Sequence, residues 1–290
     1  MEIKTLKGIS AQEILNAFNE SFSDYFIPFH LSQAQLESKM EADKVAPNLS
    51  VGVFENGQLI AFILHGFDII NNEKIIYNGG TGVIPNKRGI GLTKQMYQYI
   101  LPSLKEKGID KLILEVISEN TQAIRSYQKS GYEVDRELIC YKGEITLPLT
   151  STDVEIKELP SYNWDILQTF WDTTPTWQNS INVVNELKAS NTSLGAYYQN
   201  QLVGYLIYNP TSNRLQQIAI KKTFRQKKVA TALIQQLCEK HGNTLSIINV
   251  DKASKPLNLF LEKVGLKSFI EQLEMKLHPK RLSTQDGLNT

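Results

Sequence analysis

Two tandem α/β (α+β) domains, each a β-α-β-β-β-α-β-α-β unit, are what this sequence predicts. Three observations lead there. Its 290 residues make close to two domains at about 150 residues each. Hydrophobic residues are 41% and charged residues 21%, with 17 Gly and 10 Pro, which excludes disorder, collagen and coiled coil for the bulk of the chain. One order of hairpin, strand, basic turn, helix, strand, short helix and glycine occurs twice, at a period of roughly 135 to 140 residues.

In the first copy, Ala11, Ile14, Leu15, Phe18 and Phe22 fall at helical spacing. Leu49 to Phe54 and Gln58 to Leu64 then flank Glu55-Asn56-Gly57, and Asn-Gly is the strongest short hairpin signal. In the second copy, Leu194 to Tyr198 and Leu202 to Tyr208 flank Gln199-Asn200-Gln201. A further strand follows in each, Lys74 to Asn78 and Arg214 to Ile220, and runs into a basic turn and a helix. The first helix is expected to bury Ile90, Thr93, Tyr97, Ile100, Leu101 and Leu104, with Gly108 as its C-cap. The second buries Val229, Ala230, Leu233, Ile234 and Leu237 and ends near Gly242. Apolar strands Lys111 to Ile117 and Leu245 to Val250 come next, then short helices closed by Gly131-Tyr132 and Gly265-Leu266. The polar, proline-containing stretch Leu147 to Asp153 reads as a linker, giving domains 1–148 and 153–290.

Composition narrows function. Net charge is +1 and the pI is near 7.7, against a dedicated nucleic-acid binder. The halves differ mildly: residues 1–150 hold 15 Lys and Arg against 18 Asp and Glu, and the rest 16 against 12. The longest apolar run, Leu59 to Leu64, is a strand's length, so no membrane span is expected. Met1 to Lys7 has no apolar signal core, so a cytoplasmic location is expected. Cys140 and Cys238 sit in different halves, and His30, His65, His241 and His278 lack ligand spacing; neither a disulfide framework nor a metal site is expected.

Val83-Ile84-Pro85-Asn86-Lys87-Arg88-Gly89-Ile90-Gly91-Leu92-Thr93 joins a strand to a helix, an arrangement suited to binding a pyrophosphate. Backbone N–H groups and the helix dipole there favour an anion. Glycine allows close backbone approach where a Cβ would collide, and Arg88 can add charge-assisted hydrogen bonds. Asn78-Gly79-Gly80-Thr81-Gly82 just before it suggests a bulge with close ligand approach, or a plain loop.

These residues resemble the cofactor loop of the GCN5-related N-acetyltransferase (GNAT) superfamily, Val-x-Pro-x-x-Arg-Gly-x-Gly-x-Gly/Ala. Val83, Pro85, Arg88, Gly89 and Gly91 stand in place, and Thr93 departs from the last small position. Leu114 to Tyr132 is similar to the second family motif, with Val116, Asn120, Ala123, Tyr127 and Gly131 at the motif spacing. The resemblance covers most of both halves. It implies two tandem GNAT folds, each a mixed, mostly antiparallel sheet with helices on both faces and strand 4 splayed from strand 5, and acetyl-CoA in the gap as co-substrate. Val83, Ile84, Arg88, Gly89, Ile90, Gly91, Leu92, Thr93 and Asn120 would bind it, Asn120 also serving as an N-cap.

Amine attack on a thioester needs a base for the ammonium and an acid for the leaving thiolate. Tyr127 matches the family's acid; the alternative is that it packs under the cofactor. Glu115, a charge within an apolar strand, stands five residues before Asn120, the spacing of the base proposed in the subfamily that acetylates ribosomal-protein N-termini. The alternative is that strand alternation puts Glu115 on a wet face. Asp24, Tyr25 and Glu73 are weaker base candidates, and residues from Phe22 to His30 would set the acceptor.

The second copy has lost these features. Lys228 replaces Gly91, Leu261 replaces Tyr127, and the strand Leu245 to Val250 has no carboxylate. A catalytic N-terminal domain and a degenerate C-terminal one follow. The expected activity is acetyl transfer from acetyl-CoA to a primary amine of a small molecule or peptide N-terminus, with no nucleic-acid or membrane partner. The competing readings are a non-catalytic acyl-CoA sensor, opposed by Glu115 and Tyr127, and an aminoacyl-tRNA-dependent transferase, opposed by the near-neutral charge.

Overall fold

A computed structural model describes residues 1–24, 30–148 and 151–279. The chain forms two compact units: Met1–Asp135 with the segment from Leu273 onward, and Arg136–Gln272.

Unit 1 runs β1 (Glu2–Thr5), α1 (Ala11–Ser21), α2 (Gln33–Ala42), β2 (Val51–Glu55), β3 (Gln58–Ile70), β4 (Glu73–Val83), a 3-10 turn (Pro85–Lys87), α3 (Leu92–Glu106), β5 (Lys111–Ile117) and α4 (Thr121–Lys129). β6 (Glu133–Glu144) leads into unit 2, with β7 (Glu155–Glu158), α5 (Trp164–Leu167), α6 (Ile181–Glu186), β8 (Thr192–Tyr198), β9 (Gln201–Asn209), β10 (Arg214–Ile220), a 3-10 turn (Lys222–Phe224), α7 (Val229–His241), β11 (Thr244–Asp251) and α8 (Lys255–Lys263). The last strand, β12 (Lys267–Leu277), ends in unit 1.

Each unit is a mixed sheet. β1, β2, β3 and β4 pair antiparallel in turn, and β4 pairs parallel with β5. β7, β8, β9 and β10 do the same, and β10 meets β11 in parallel. In unit 1 the core lies on both faces. Met96, Tyr97, Ile100, Leu112, Leu114 and Tyr127 pack on the α3 and α4 side, and Ile14, Phe18, Leu36 and Phe62 on the α1 and α2 side.

The hairpins form where expected. Asn56 and Gly57 (φ 50° and 82°) turn between the paired Glu55 and Gln58, and Gln199 and Asn200 (φ 48° and 61°) between Tyr198 and Gln201. Two positive φ angles in a two-residue loop match the twist of the flanking strands.

The stretch expected as the division, 148–153, lies between β6 and β7, within unit 2. β6 pairs with β11, and Met275 and Leu277 complete the core of unit 1. Strand pairing is non-local, so no repeat in the local pattern reveals this crossing of the chain. The buried face of α3 is Leu92, Met96, Tyr97, Ile100 and Leu104; Ile90 is exposed and precedes the helix, because the helix starts only at Leu92. The expected bulge exists: Leu64 pairs with Gly80 and His65 with Asn78, leaving Gly79 as the extra residue. Its glycines serve packing, however. A Cβ on Gly79 would lie 2.8 Å from Asp43 Oδ2, and one on Gly82 2.4 Å from the Phe62 ring.

Candidate active site

The parallel pairing of β4 with β5 runs through four residues, from Ile75–Lys111 to Asn78–Leu114, and stops. Beyond it the strands part, β4 continuing to Val83 and β5 to Ile117. Asn78 braces the split. Its Nδ2 donates to Thr81 Oγ1 (2.8 Å) and Tyr97 Oη (2.9 Å), its Oδ1 accepts from Gly80 N (3.0 Å), and Tyr97 Oη lies 3.1 Å from Tyr132 Oη.

Glu115 is the first residue of β5 past the last pair. Burial alternates along β5, with Leu112, Leu114 and Val116 in the core shared with Tyr127, so Glu115 lies on the opposite face. There its Oε2 accepts from the Tyr77 hydroxyl at 2.7 Å. Burial first, then the Glu115 charge, pushes the Tyr77 pKa well above its ordinary value, so Tyr77 donates. Glu115 is thus half-buried and held by a phenol, in place of the open wet face that alternation alone allowed.

Tyr127 comes from α4, whose N-cap is Asn120; Asn120 Oδ1 accepts from Ala123 N at 3.1 Å. Tyr127 is 8% exposed and meets Tyr132 edge-on, with ring centroids 5.8 Å apart. Tyr132 in turn meets Tyr97 edge-on at 5.4 Å. Glu115 and Tyr127 therefore flank the split from opposite faces of β5.

The loop after β4 is shaped by Gly89 and Gly91, both at φ 82°. A Cβ on either would find no protein atom within 4 Å. Gly91 is the N-cap of α3 and supplies no side-chain cap, so the first turn presents its N–H groups and the positive end of the helix dipole. Thr93 is half-buried in this turn and Leu92 anchors it in the core. Ile84 is buried and its N–H donates to Ile60 O at 3.1 Å.

Arg88 is engaged within the protein. Its Nε donates to Val83 O (3.1 Å), its Nη2 to Ser21 O (2.9 Å), and Nη1 and Nη2 clasp the Asp24 carboxylate at 2.8 and 2.7 Å. The guanidinium ties the end of β4 to the end of α1. The same contact engages Asp24, and the Arg88 hydrogen bond holds its carboxyl below the usual range. Glu73 pairs with Lys111 at the closed end of the strands, and Tyr25 lies outside the described residues.

Tyr77 escaped the sequence reading because the register that brings it to Glu115 is set by long-range pairing. Asp24 as the arginine's partner escaped likewise, lying 64 residues away. Among the described residues, no group of three or more His, Cys, Asp or Glu side chains could hold a metal ion, and no helix is long and apolar enough to cross a membrane. Neither cysteine forms a disulfide.

A split parallel pair with a glycine loop at its mouth is the arrangement that the resemblance to the N-acetyltransferases implies. The acetyltransferase (GNAT) family model matches the chain twice, over residues 12–132 and 156–266, and the chain belongs to that family. It is an N-acetyltransferase of tandem-domain type. A probable spermine N(1)-acetyltransferase of Bacillus subtilis subsp. natto is 27% identical over 125 residues, covering 39% of this chain and 82% of its own length. The crystal structure of a GCN5-related N-acetyltransferase from Sphaerobacter thermophilus has the same fold at a TM-score of 0.70 and 12% identity, over 96% of this chain and 95% of that one. A tandem GNAT protein from the clavulanic acid biosynthesis pathway does so at 0.69 and 8%, over 96% and 98%.

Proposed function

We propose that this chain transfers an acetyl group from acetyl-CoA to a primary amine of a small molecule or peptide N-terminus, by direct attack in a ternary complex, and that the reaction takes place in unit 1. One observation carries the reading: the strands part at Asn78 and Leu114, with Glu115 on one face of β5 at the gap and Tyr127 on the other.

Acetyl-CoA supplies a thioester as acyl donor. The open space beside Gly89 and Gly91 and the uncapped first turn of α3 suit its pyrophosphate. Backbone N–H groups from Gly89 to Thr93 would hold that group, with Arg88 keeping the loop in place through Asp24. Val83, Ile84 and Asn120 would border the pantetheine arm. Glu115 accepts a proton from the acceptor's ammonium, oriented by the Tyr77 hydroxyl. As the nitrogen–carbon bond forms and the carbon–sulfur bond breaks, Tyr127 delivers a proton to the thiolate.

Unit 2 does not carry this chemistry. Leu261, fully buried, stands where Tyr127 does, and Asn249 stands where Glu115 does. Asn249 donates through Nδ2 to Gln178 Oε1 and accepts at Oδ1 from the Cys140 thiol.

The spermine relative makes polyamines the first acceptors to try. The test measures released thiol from acetyl-CoA with spermine, aminoglycosides, amino acids and peptides, beside CoA titration calorimetry. One equivalent of CoA per chain, lost in Gly91→Asp, and turnover with one amine class support the reading. Two equal CoA sites, or binding without turnover on any amine, overturn it.

A further inference from the structure

Unit 1 buries a chain of polar groups that leads from the strand split to Tyr127. It starts at Asn78, whose Oδ1 accepts from Gly80 N at 3.0 Å. A backbone N–H only donates, so the orientation of the amide is fixed and its Nδ2 donates to Tyr97 Oη at 2.9 Å. Tyr97 Oη lies 3.1 Å from Tyr132 Oη and, already accepting from Asn78, gives its own hydrogen to Tyr132. Burial raises the pKa of both phenols, so both stay protonated. The Tyr132 ring then meets Tyr127 edge-on, with centroids 5.8 Å apart. Tyr132 is 2% exposed, so it touches neither substrate nor cofactor, and any effect it has on the reaction passes through Tyr127.

Unit 2 shows the same framework without the acid. His65 pairs with Asn78 and Tyr208 with Leu215, each pair just before the extra residue of its bulge, Gly79 or Gln216, so Leu215 stands where Asn78 does. Counted from the N-caps Gly91 and Lys228, Ile234 stands where Tyr97 does. Leu261 and Leu266 take the places of Tyr127 and Tyr132. In both pairs the later residue's N–H donates to the earlier one's carbonyl, at 3.1 Å. Leu215, Ile234, Leu261 and Leu266 are all buried in one apolar core.

This framework therefore packs with hydrocarbon at every position of the chain. Replacing both partners of a buried hydrogen bond by apolar groups of similar shape is nearly neutral for stability, so folding alone gives unit 1 no reason to hold these polar groups. They are present where the acid is present and gone where the acid is gone.

We propose that Tyr132 is a positioning residue for Tyr127: anchored by Tyr97 and Asn78, it holds the Tyr127 ring at the gap between β4 and β5 in the orientation that delivers the proton to the leaving thiolate. The proposal rests on Tyr127 being the acid. Because the chain begins at Asn78, the last residue of β4 paired with β5, one set of hydrogen bonds ties the opening of the gap to the seat of the acid.

A double-mutant cycle on the full chain tests this, with thiol release for kcat and calorimetry for CoA affinity. The acceptor is spermine, or the amine of the panel above that turns over if spermine does not. Tyr132→Phe should lower kcat by about tenfold and change CoA affinity by less than about twofold. In a Tyr127→Phe background the same substitution should change kcat by less than about twofold, because the acid it serves is gone. Tyr205→Phe removes a buried unit 2 hydroxyl that donates to Gln217 Oε1 at 2.7 Å, and should leave kcat unchanged, which separates positioning from a general loss of stability. Should Tyr132→Phe fail to fold, Tyr97→Phe takes its place, since it removes the anchor of Tyr132, with the same expectations. A kcat of the unaltered chain in the variant used, an equal loss with and without the Tyr127 hydroxyl, or a loss matched by Tyr205→Phe would each overturn the proposal while leaving the acetyl-transfer reading in place. Full turnover in Tyr127→Phe would sink the acid assignment and this proposal together, and turnover on no amine would sink the reading as a whole.

Discussion

Unit 1 should not fold from the N-terminal half of the chain alone. Met275 and Leu277 are 0% and 1% exposed and belong to the core formed with α3, α4 and β5. Burying each contributes about 1.5–3 kcal/mol, so a fragment of residues 1–150 forfeits about 3–6 kcal/mol. It also leaves β6 without β11, its partner from Leu138–Asp251 to Glu144–Thr244. Against a total domain stability of about 5–15 kcal/mol, that loss is a large share of the margin. In the full chain, Met275→Ala and Leu277→Ala should each cost about 2–5 kcal/mol. Urea unfolding followed by circular dichroism measures the point variants, and thiol release measures the fragment. A soluble 1–150 fragment with a cooperative transition and full turnover would refute the reasoning, as would point variants of unchanged stability.

Tyr127→Phe keeps the edge-on contact with Tyr132 and removes the hydroxyl, so CoA affinity should hold while turnover falls by about 10² or more in thiol-release assays. Glu115→Gln should also spare CoA binding, but its defect should shrink as pH rises and the amine arrives unprotonated; a pH–rate profile separates it from Tyr127→Phe. Gly91→Ala has no protein atom to strike, so it should fold with about 1 kcal/mol lost to the left-handed backbone, yet weaken CoA binding in calorimetry. His65 is fully buried and donates from Nδ1 to Leu49 O at 2.8 Å, and burial pulls its pKa down to about 4. The unfolded chain takes up that proton near pH 6.5 and the folded chain only near 4, so stability is lost as pH falls between these values. By pH 5 the loss is about 2 kcal/mol, and urea midpoints for His65→Gln should show a flatter pH dependence than the unaltered chain.

What the sequence made legible was local chemistry. Hairpin turns, the glycine loop, the bulge at Gly79 and the cap at Asn120 each depend on a few neighbouring residues. α2 stayed hidden because it buries only Leu36, which leaves no apolar period; the signal available was its capping box, Ser32 with Gln35. Residues 164–190 hold short helices and 3-10 turns, too brief for a periodic face. The destination of β12, the Tyr77 hydrogen bond to Glu115 and the Arg88 clasp on Asp24 all depend on pairings far apart in sequence, where local pattern carries no information.

The two cofactor-type loops of this one chain act as an internal control on why such loops carry glycine. Gln226 and Lys228 hold φ 62°, close to the 82° of Gly89 and Gly91. Arg225 donates to Ile220 O and Phe170 O and clasps Asp172, just as Arg88 ties Val83 O, Ser21 O and Asp24. The arginine staple, more than the glycines, therefore dictates the shape, and ordinary residues can follow it at a cost of about 1–3 kcal/mol each. What glycine adds in the first loop is vacancy above the backbone. A glycine pair in this motif is then a statement about room beside the backbone, and the second loop gives that room to the side chains of Gln226 and Lys228 at nearly the same backbone angles.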